Sequence, residues 1–62
     1  MKVKDLIKTC STKDLIIIRD QKAKIETKAP NIEPYKKVFA YLADRKILDN
    51  FRDGENCLII LI

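Results

Sequence analysis

The chain has 62 residues, a net charge of +4, and neither histidine nor tryptophan. This length excludes a second core and disfavours a deep cleft walled by protein on all sides, since so short a chain buries only about 60% of its unfolded surface. With 47% hydrophobic residues, 35% charged residues and a single glycine, the sequence is too apolar to be disordered. We therefore expect one small folded domain over residues 1–62.

The first half of the chain predicts a helix and two strands. Apolar spacing indicates an amphipathic helix over residues 2–10, with a stripe formed by Val3, Leu6, Ile7 and Cys10. The β-branched run Leu15–Ile18 is apolar on both faces and predicts a strand near the centre of a sheet. The segment Lys22–Lys28 alternates with period two, which predicts a half-exposed strand paired with its predecessor in a hairpin.

The second half predicts another helix and two more strands. Pro34 suits the first turn of a helix, whose apolar stripe is Tyr35, Val38, Phe39 and Leu42. Residues 45–51 fit either an extension of this helix or a strand. The strand is favoured because Asp53-Gly54 is typical of a tight reversal, and the extended apolar run Cys57–Ile62 follows it.

These elements predict an α+β fold of order αββαββ, with two short helices on one face of a four-stranded, mostly antiparallel sheet. One alternate set of side chains from each central strand is then left on the far face. If Leu15 and Ile17 face the helices, Ile16 and Ile18 face away, and one of the two alternate sets of the last strand, Leu58/Ile60/Ile62 or Cys57/Ile59/Leu61, joins them. We assign Ile16, Ile18, Ile59 and Leu61 to the far face. We predict that a homodimer or higher oligomer buries this set. Alternatively, sheet twist and long lysine stems cover the face within one chain.

Several classes of site are excluded or disfavoured by residue type. Without histidine, a general base has to be a carboxylate, a lysine or a cysteine, and each of these lies on an ordinary amphipathic face, so we expect no enzyme activity. Cys10 and Cys57 lack Cys-x-x-Cys spacing, which argues against zinc and against a disulfide. We expect no cofactor and no metal, since the acidic residues near the C-terminus lack the spacing of a calcium loop; they are Asp44, Asp49, Asp53 and Glu55.

The surplus positive charge lies in the N-terminal half, where residues 1–28 hold eight Lys or Arg against four Asp or Glu. It includes a basic strip on and beside the predicted second strand: Arg19, Lys22, Lys24 and Lys28. Alternate lysines on a strand stand about 7 Å apart, near the spacing of phosphates, so this strip predicts an anionic partner. The alternative is an edge strand whose lysines deter aggregation. Tyr41 lies off the apolar stripe and is a further candidate contact residue.

No apolar run approaches the roughly 20 residues that a membrane helix needs, and the lysine-rich N-terminus lacks the apolar core of a signal peptide. We expect a cytoplasmic protein without membrane contact.

The segments Met1–Ile7, Asp14–Arg19 and Leu42–Ile47, with the apolar C-terminal strand, resemble small orphan proteins encoded by phages and prophages of low-GC Gram-positive bacteria. That resemblance covers most of the chain through loose motifs. It implies a counter-defence role, foremost a non-enzymatic inhibitor that binds a host protein such as a CRISPR effector. It also implies an alternative, an oligomeric sponge for an anionic signalling nucleotide, and a phage-encoded chain would act in the host cytoplasm. A nucleic-acid-binding accessory protein is a further alternative, compatible with the basic charge. The basic charge argues against DNA mimicry.

Overall fold

The computed structural model of the protein describes residues 1–32 and 36–62. Its elements follow the predicted order, with α1 (Val3–Ile7), β1 (Leu15–Asp20), β2 (Ile25–Pro30), α2 (Lys36–Ala40), β3 (Asp49–Arg52) and β4 (Cys57–Leu61). The small α+β fold with two short helices is therefore confirmed. The predicted helix start at Pro34, and Tyr35 with it, lie outside the described residues.

The first helix is shorter than the apolar stripe predicts. The Lys2 N–H donates to the Asp5 carboxylate at 3.2 Å and sets the start of the helix. Near the C-terminal end, the Thr9 hydroxyl donates to the Leu6 carbonyl at 2.7 Å, and such local side-chain bonds compete with continued helix. The helix is also tied to the segment after α2, because the Val3 N–H donates to the Arg45 carbonyl at 3.0 Å.

The sheet is mixed, which corrects the expectation of a mostly antiparallel one. Strand order is β2-β1-β4-β3, with antiparallel hairpins on the outside and parallel pairing between β1 and β4 at the centre. The connection through α2 carries the chain across the sheet, so that β3 runs in the same direction as β2. Helical crossovers of this kind join parallel strands, and β4 consequently runs in the same direction as β1.

The hydrophobic core lies between the helices and one face of the sheet. It contains Val3, Ile16, Ile18, Ala29, Phe39, Leu42, Leu58, Ile60 and Ile62. Ile16 and Ile18 are 0% and 1% exposed beneath the helices, so they do not belong to the far face. Because strand side chains alternate, Leu15 and Ile17 take their place there beside Ile59 and Leu61.

Both hairpin reversals differ in detail from the predicted ones. β2 begins at Ile25, because Asp20 Oδ1 accepts hydrogen bonds from the Lys22 and Ala23 N–H groups at 3.0 and 3.1 Å and holds those residues in a turn. Lys24 closes this turn at φ 56°. The second reversal occurs where Asp53-Gly54 predicts one, with Gly54 at φ 88°, but it occupies the whole segment between Arg52 and Cys57.

Candidate functional site

The face of the sheet opposite the helices, called here the open face, carries a row of side chains that crosses all four strands. Strand register places them side by side in the order Lys28, Ile17, Ile59, Phe51. A second row lies two residues away on each strand and consists of Glu26, Arg19, Leu61 and Asp49. Leu15 stands between Pro30 and Cys57 in a third row. The open face thus has an apolar centre with charged residues around it.

Neighbouring side chains already cover the centre of the open face. Ile17 is 8% exposed and Ile59 is 4% exposed in the single chain. These two residues therefore need no partner chain to be buried, which supports the alternative of coverage within one chain. Leu15, Cys57 and Leu61 are half-buried. Phe51 is 45% exposed on the edge strand, and the preceding Leu48 is 67% exposed. The apolar surface that a partner can reach is therefore concentrated towards the β3 edge.

The predicted basic strip is divided between two parts of the molecule. Arg19 and Lys28 lie on the open face, where Arg19 Nε is 3.5 Å from Glu26 Oε1. Lys22 and Lys24 lie in the β1–β2 turn instead of on a strand. The predicted row of three lysines on one side of the second strand is therefore not formed, since of the three only Lys28 lies in β2. The alternation of charged and apolar residues does not show where β2 begins, because it runs unbroken from the turn into the strand.

Tyr41 lies on the helix side of the sheet, away from Arg19 and Lys28. It is 70% exposed, and its hydroxyl is 3.3 Å from Thr27 Oγ1. It borders a small cleft of about 150 Å³ that also includes Asp20 and Arg45, which approach each other at 3.5 Å. Tyr41 therefore lies near Asp20 and Arg45 on the side of the sheet opposite Arg19 and Lys28.

An ion pair that sequence reasoning missed fixes the edge strand. Arg52 Nη1 and Nη2 lie 3.2 and 3.3 Å from the two carboxylate oxygens of Asp14. The Ser11 N–H also donates to this carboxylate at 3.0 Å. The Arg52 hydrogen bonds, with that of Ser11, hold the pKa of the Asp14 carboxyl below its usual range although burial opposes them. No local pattern indicates a pair of residues so far apart in the sequence.

The cysteines and the acidic residues have local partners. Both cysteines are free thiols, and burial raises the pKa of the Cys10 thiol, which disfavours a reactive thiolate. Asp44 lies 3.1 Å from Lys4 Nζ, and Asp49 accepts the Asn50 N–H at 2.8 Å. Among the described residues, no group of three or more cysteine, aspartate or glutamate side chains converges as a metal site.

In the two described ranges, neither helix has the length and apolar character that crossing a membrane requires. Comparison of the chain with protein-family models, with curated proteins and with solved structures finds no match.

Proposed function

We propose that the chain is a small non-enzymatic binding protein that docks onto another protein through the open face of its sheet. The observation that supports this proposal is the row Lys28, Ile17, Ile59 and Phe51, to which all four strands contribute. An apolar centre with a charged rim is the usual anatomy of a protein–protein interface. Phe51, an exposed aromatic residue of this row, is the side chain that we assign as the anchor.

The resemblance to phage and prophage proteins supports a host defence protein as the partner, with inhibition as the outcome. Occupying a functional surface of such a protein needs no catalytic group on the inhibitor. A four-stranded sheet presents its side chains without a large ordering cost, which lowers the free-energy cost of binding for a small chain.

A homodimer or higher oligomer is a second proposal for the same surface. Four strands about 4.8 Å apart, each with roughly five residues at about 3.3 Å, span on the order of 300 Å². A stable interface buries about 800 Å² on each partner. Since Ile17 and Ile59 are already covered, a second copy on this face alone would bind weakly. A larger protein that also contacts Leu48 at the edge would bury more apolar surface.

Binding of an anionic nucleotide or of nucleic acid is a third proposal, located at the β1–β2 turn. Lys22 and Lys24 lie in this turn. Arg45 lies close to the turn, because its guanidinium group contacts Asp20. Such binding should weaken steeply with salt, because phosphate contacts release counterions. Docking through the open face should be much less sensitive to salt.

Site-specific photocrosslinking tests the main proposal. A benzophenone amino acid is introduced at Phe51 in one variant and at Tyr41 in a matched control, since both side chains are exposed but lie on opposite sides of the sheet. Irradiation in host cells should give a discrete adduct from position 51 and none from position 41. An adduct at twice the mass of the chain would identify the homodimer. Equal labelling from both positions, or labelling from position 41 alone, would contradict docking by the open face.

A further inference from the structure

A second candidate site lies on the helix side of the molecule. A cleft of about 450 Å³ opens between α1 and α2. Its apolar wall includes Ile7, Phe39, Ala40 and Ala43. Clefts of roughly 300–1,000 Å³ with mostly apolar walls are typical small-molecule sites. This cleft is on the opposite side of the sheet from the open face.

Asn31 lines this cleft and is only 6% exposed. Its Nδ2 donates to the Cys10 carbonyl at 3.3 Å and to the Ser11 carbonyl at 3.1 Å, and its backbone N–H donates to the Asp14 carbonyl at 3.0 Å. The two bonds from Nδ2 fix the orientation of the side-chain amide. Its Oδ1 is buried and receives no hydrogen bond from the described part of the chain. Buried acceptors are normally paired, so a ligand donor that reached this oxygen from the cleft would satisfy it.

The rim of the cleft is positively charged. Lys4 and Lys8 lie on it, and the described residues that line the cleft include no Asp or Glu. The Lys4 ammonium group is paired with Asp44 at 3.1 Å, and Asp44 does not line the cleft. Lys8 is therefore the principal positive group for a ligand. A negative group on the ligand would therefore bind at the rim while its apolar body fills the space between the helices.

We propose that this cleft binds a small organic anion that carries an apolar ring and one N–H or O–H donor. The ring packs between Ile7, Phe39 and Ala40, the donor bonds to Asn31 Oδ1, and the anionic group pairs with Lys8. This site is independent of the open face, so it would add a ligand-binding activity to a chain that docks on a protein by its other side.

Indole-3-acetate is a direct probe, because it combines a ring, an N–H donor and a carboxylate. The chain has no tryptophan, so the indole can be excited selectively and its fluorescence anisotropy followed during titration with protein. We expect saturable binding at one site. Naphthalene-1-acetate has a ring of similar size and the same charge but no donor, and it should bind about tenfold more weakly, the scale of one lost hydrogen bond to a buried acceptor. Its affinity is measured by competition with the indole probe.

Two pairs of variants locate the binding. Ala40→Leu fills the cleft from the exposed side of α2 and should abolish binding, whereas Ala23→Leu adds the same side chain to the β1–β2 turn and should not. Lys8→Gln should weaken binding severalfold, and Lys13→Gln, a control outside the lining, should not. Circular dichroism establishes that each variant is folded. Binding that does not saturate, equal affinity for the two acids, or affinity unchanged by both Ala40→Leu and Lys8→Gln would overturn the proposal.

Discussion

Arg52 holds both carboxylate oxygens of Asp14, with Nη1 and Nη2 at 3.2 and 3.3 Å. Asp14 precedes the central strand β1, whereas Arg52 is the last residue of the edge strand β3. The guanidinium group therefore reaches past β4 to join the edge of the sheet to the segment before its centre. Because Phe51 is the neighbour of Arg52, this pair also positions the proposed anchor of the open face.

Removing the Arg52 side chain should destabilise the protein through Asp14. In Arg52→Leu the carboxylate, which is only 4% exposed, loses its paired charge, and uncompensated buried charges are unfavourable. We expect thermal denaturation to show a melting temperature lowered by several degrees. Arg19→Leu is the control, since its pair with Glu26 is half-exposed, and exposed pairs contribute little. Equal effects of the two substitutions would mean that the Asp14 pair has no special role.

The same pair predicts an acid dependence of stability. Hydrogen bonds from Arg52 and Ser11 lower the pKa of Asp14 in the folded state. A carboxyl whose folded-state pKa lies below its unfolded value stabilises the fold at neutral pH, and this stabilisation is lost as the pH falls through the folded-state pKa. Chemical denaturation of the wild type and of Asp14→Asn should differ at pH 7 and converge as the pH falls below about 4. A constant difference across this range would contradict the assignment.

Replacing Lys24 with glycine should stabilise the β1–β2 turn. Lys24 has φ 56°, a left-handed conformation that costs a residue with a Cβ about 1 kcal/mol. Lys24→Gly is expected to raise the free energy of unfolding by up to about that amount in urea denaturation. Lys22→Gly removes the same charge from the same turn at a position without positive φ, and it should be neutral or destabilising. Stabilisation by both substitutions would point to charge repulsion instead.

Truncation of Ile16 and of Ile17 tests which face of β1 packs beneath the helices. Ile16 is fully buried beneath the helices, whereas Ile17 is 8% exposed on the open face. Ile16→Ala should lower the free energy of unfolding by about 2–5 kcal/mol, the cost of removing a core side chain. Ile17→Ala should have a clearly smaller effect, because Ile17 lies outside the core cluster beneath the helices and its cross-strand neighbours are Lys28 and Ile59. The reverse order of the two effects would indicate that the strand faces are exchanged.

Sequence patterns predicted much of this fold because they report burial. The runs that form β1 and β4 are apolar on both faces, and these strands take the two central positions. The helical stripe likewise predicted the core positions of Phe39 and Leu42. Burial patterns do not encode strand direction, so the parallel pairing of β1 with β4 depends on the crossover through α2 and was missed. Because β1 is apolar on both faces, its pattern does not determine which face packs beneath the helices, and the assignment of Ile16 and Ile18 to the far face was wrong.

The candidate sites were less predictable, because they depend on contacts between distant residues. Lys22 and Lys24 continue the alternation of β2, and only the Asp20 side chain places them in a turn. Asn31 and Cys10 lie 21 positions apart and meet through a side-chain hydrogen bond. Neither contact has a signature in local spacing. The excess of apolar strand residues predicted that one face of the sheet would be apolar and free of helices. It did not predict which residues form that face.

The most direct measurement of the central proposal is the affinity of the crosslinked partner for two charge-introducing variants. Phe51→Glu places a charge on the open face, and Tyr41→Glu places the same charge on an aromatic position across the sheet that is more exposed, 70% against 45%. We predict at least about a tenfold loss of affinity for Phe51→Glu, as for an interface anchor, and no change for Tyr41→Glu. Unchanged affinity for Phe51→Glu, or loss confined to Tyr41→Glu, would contradict docking through the open face.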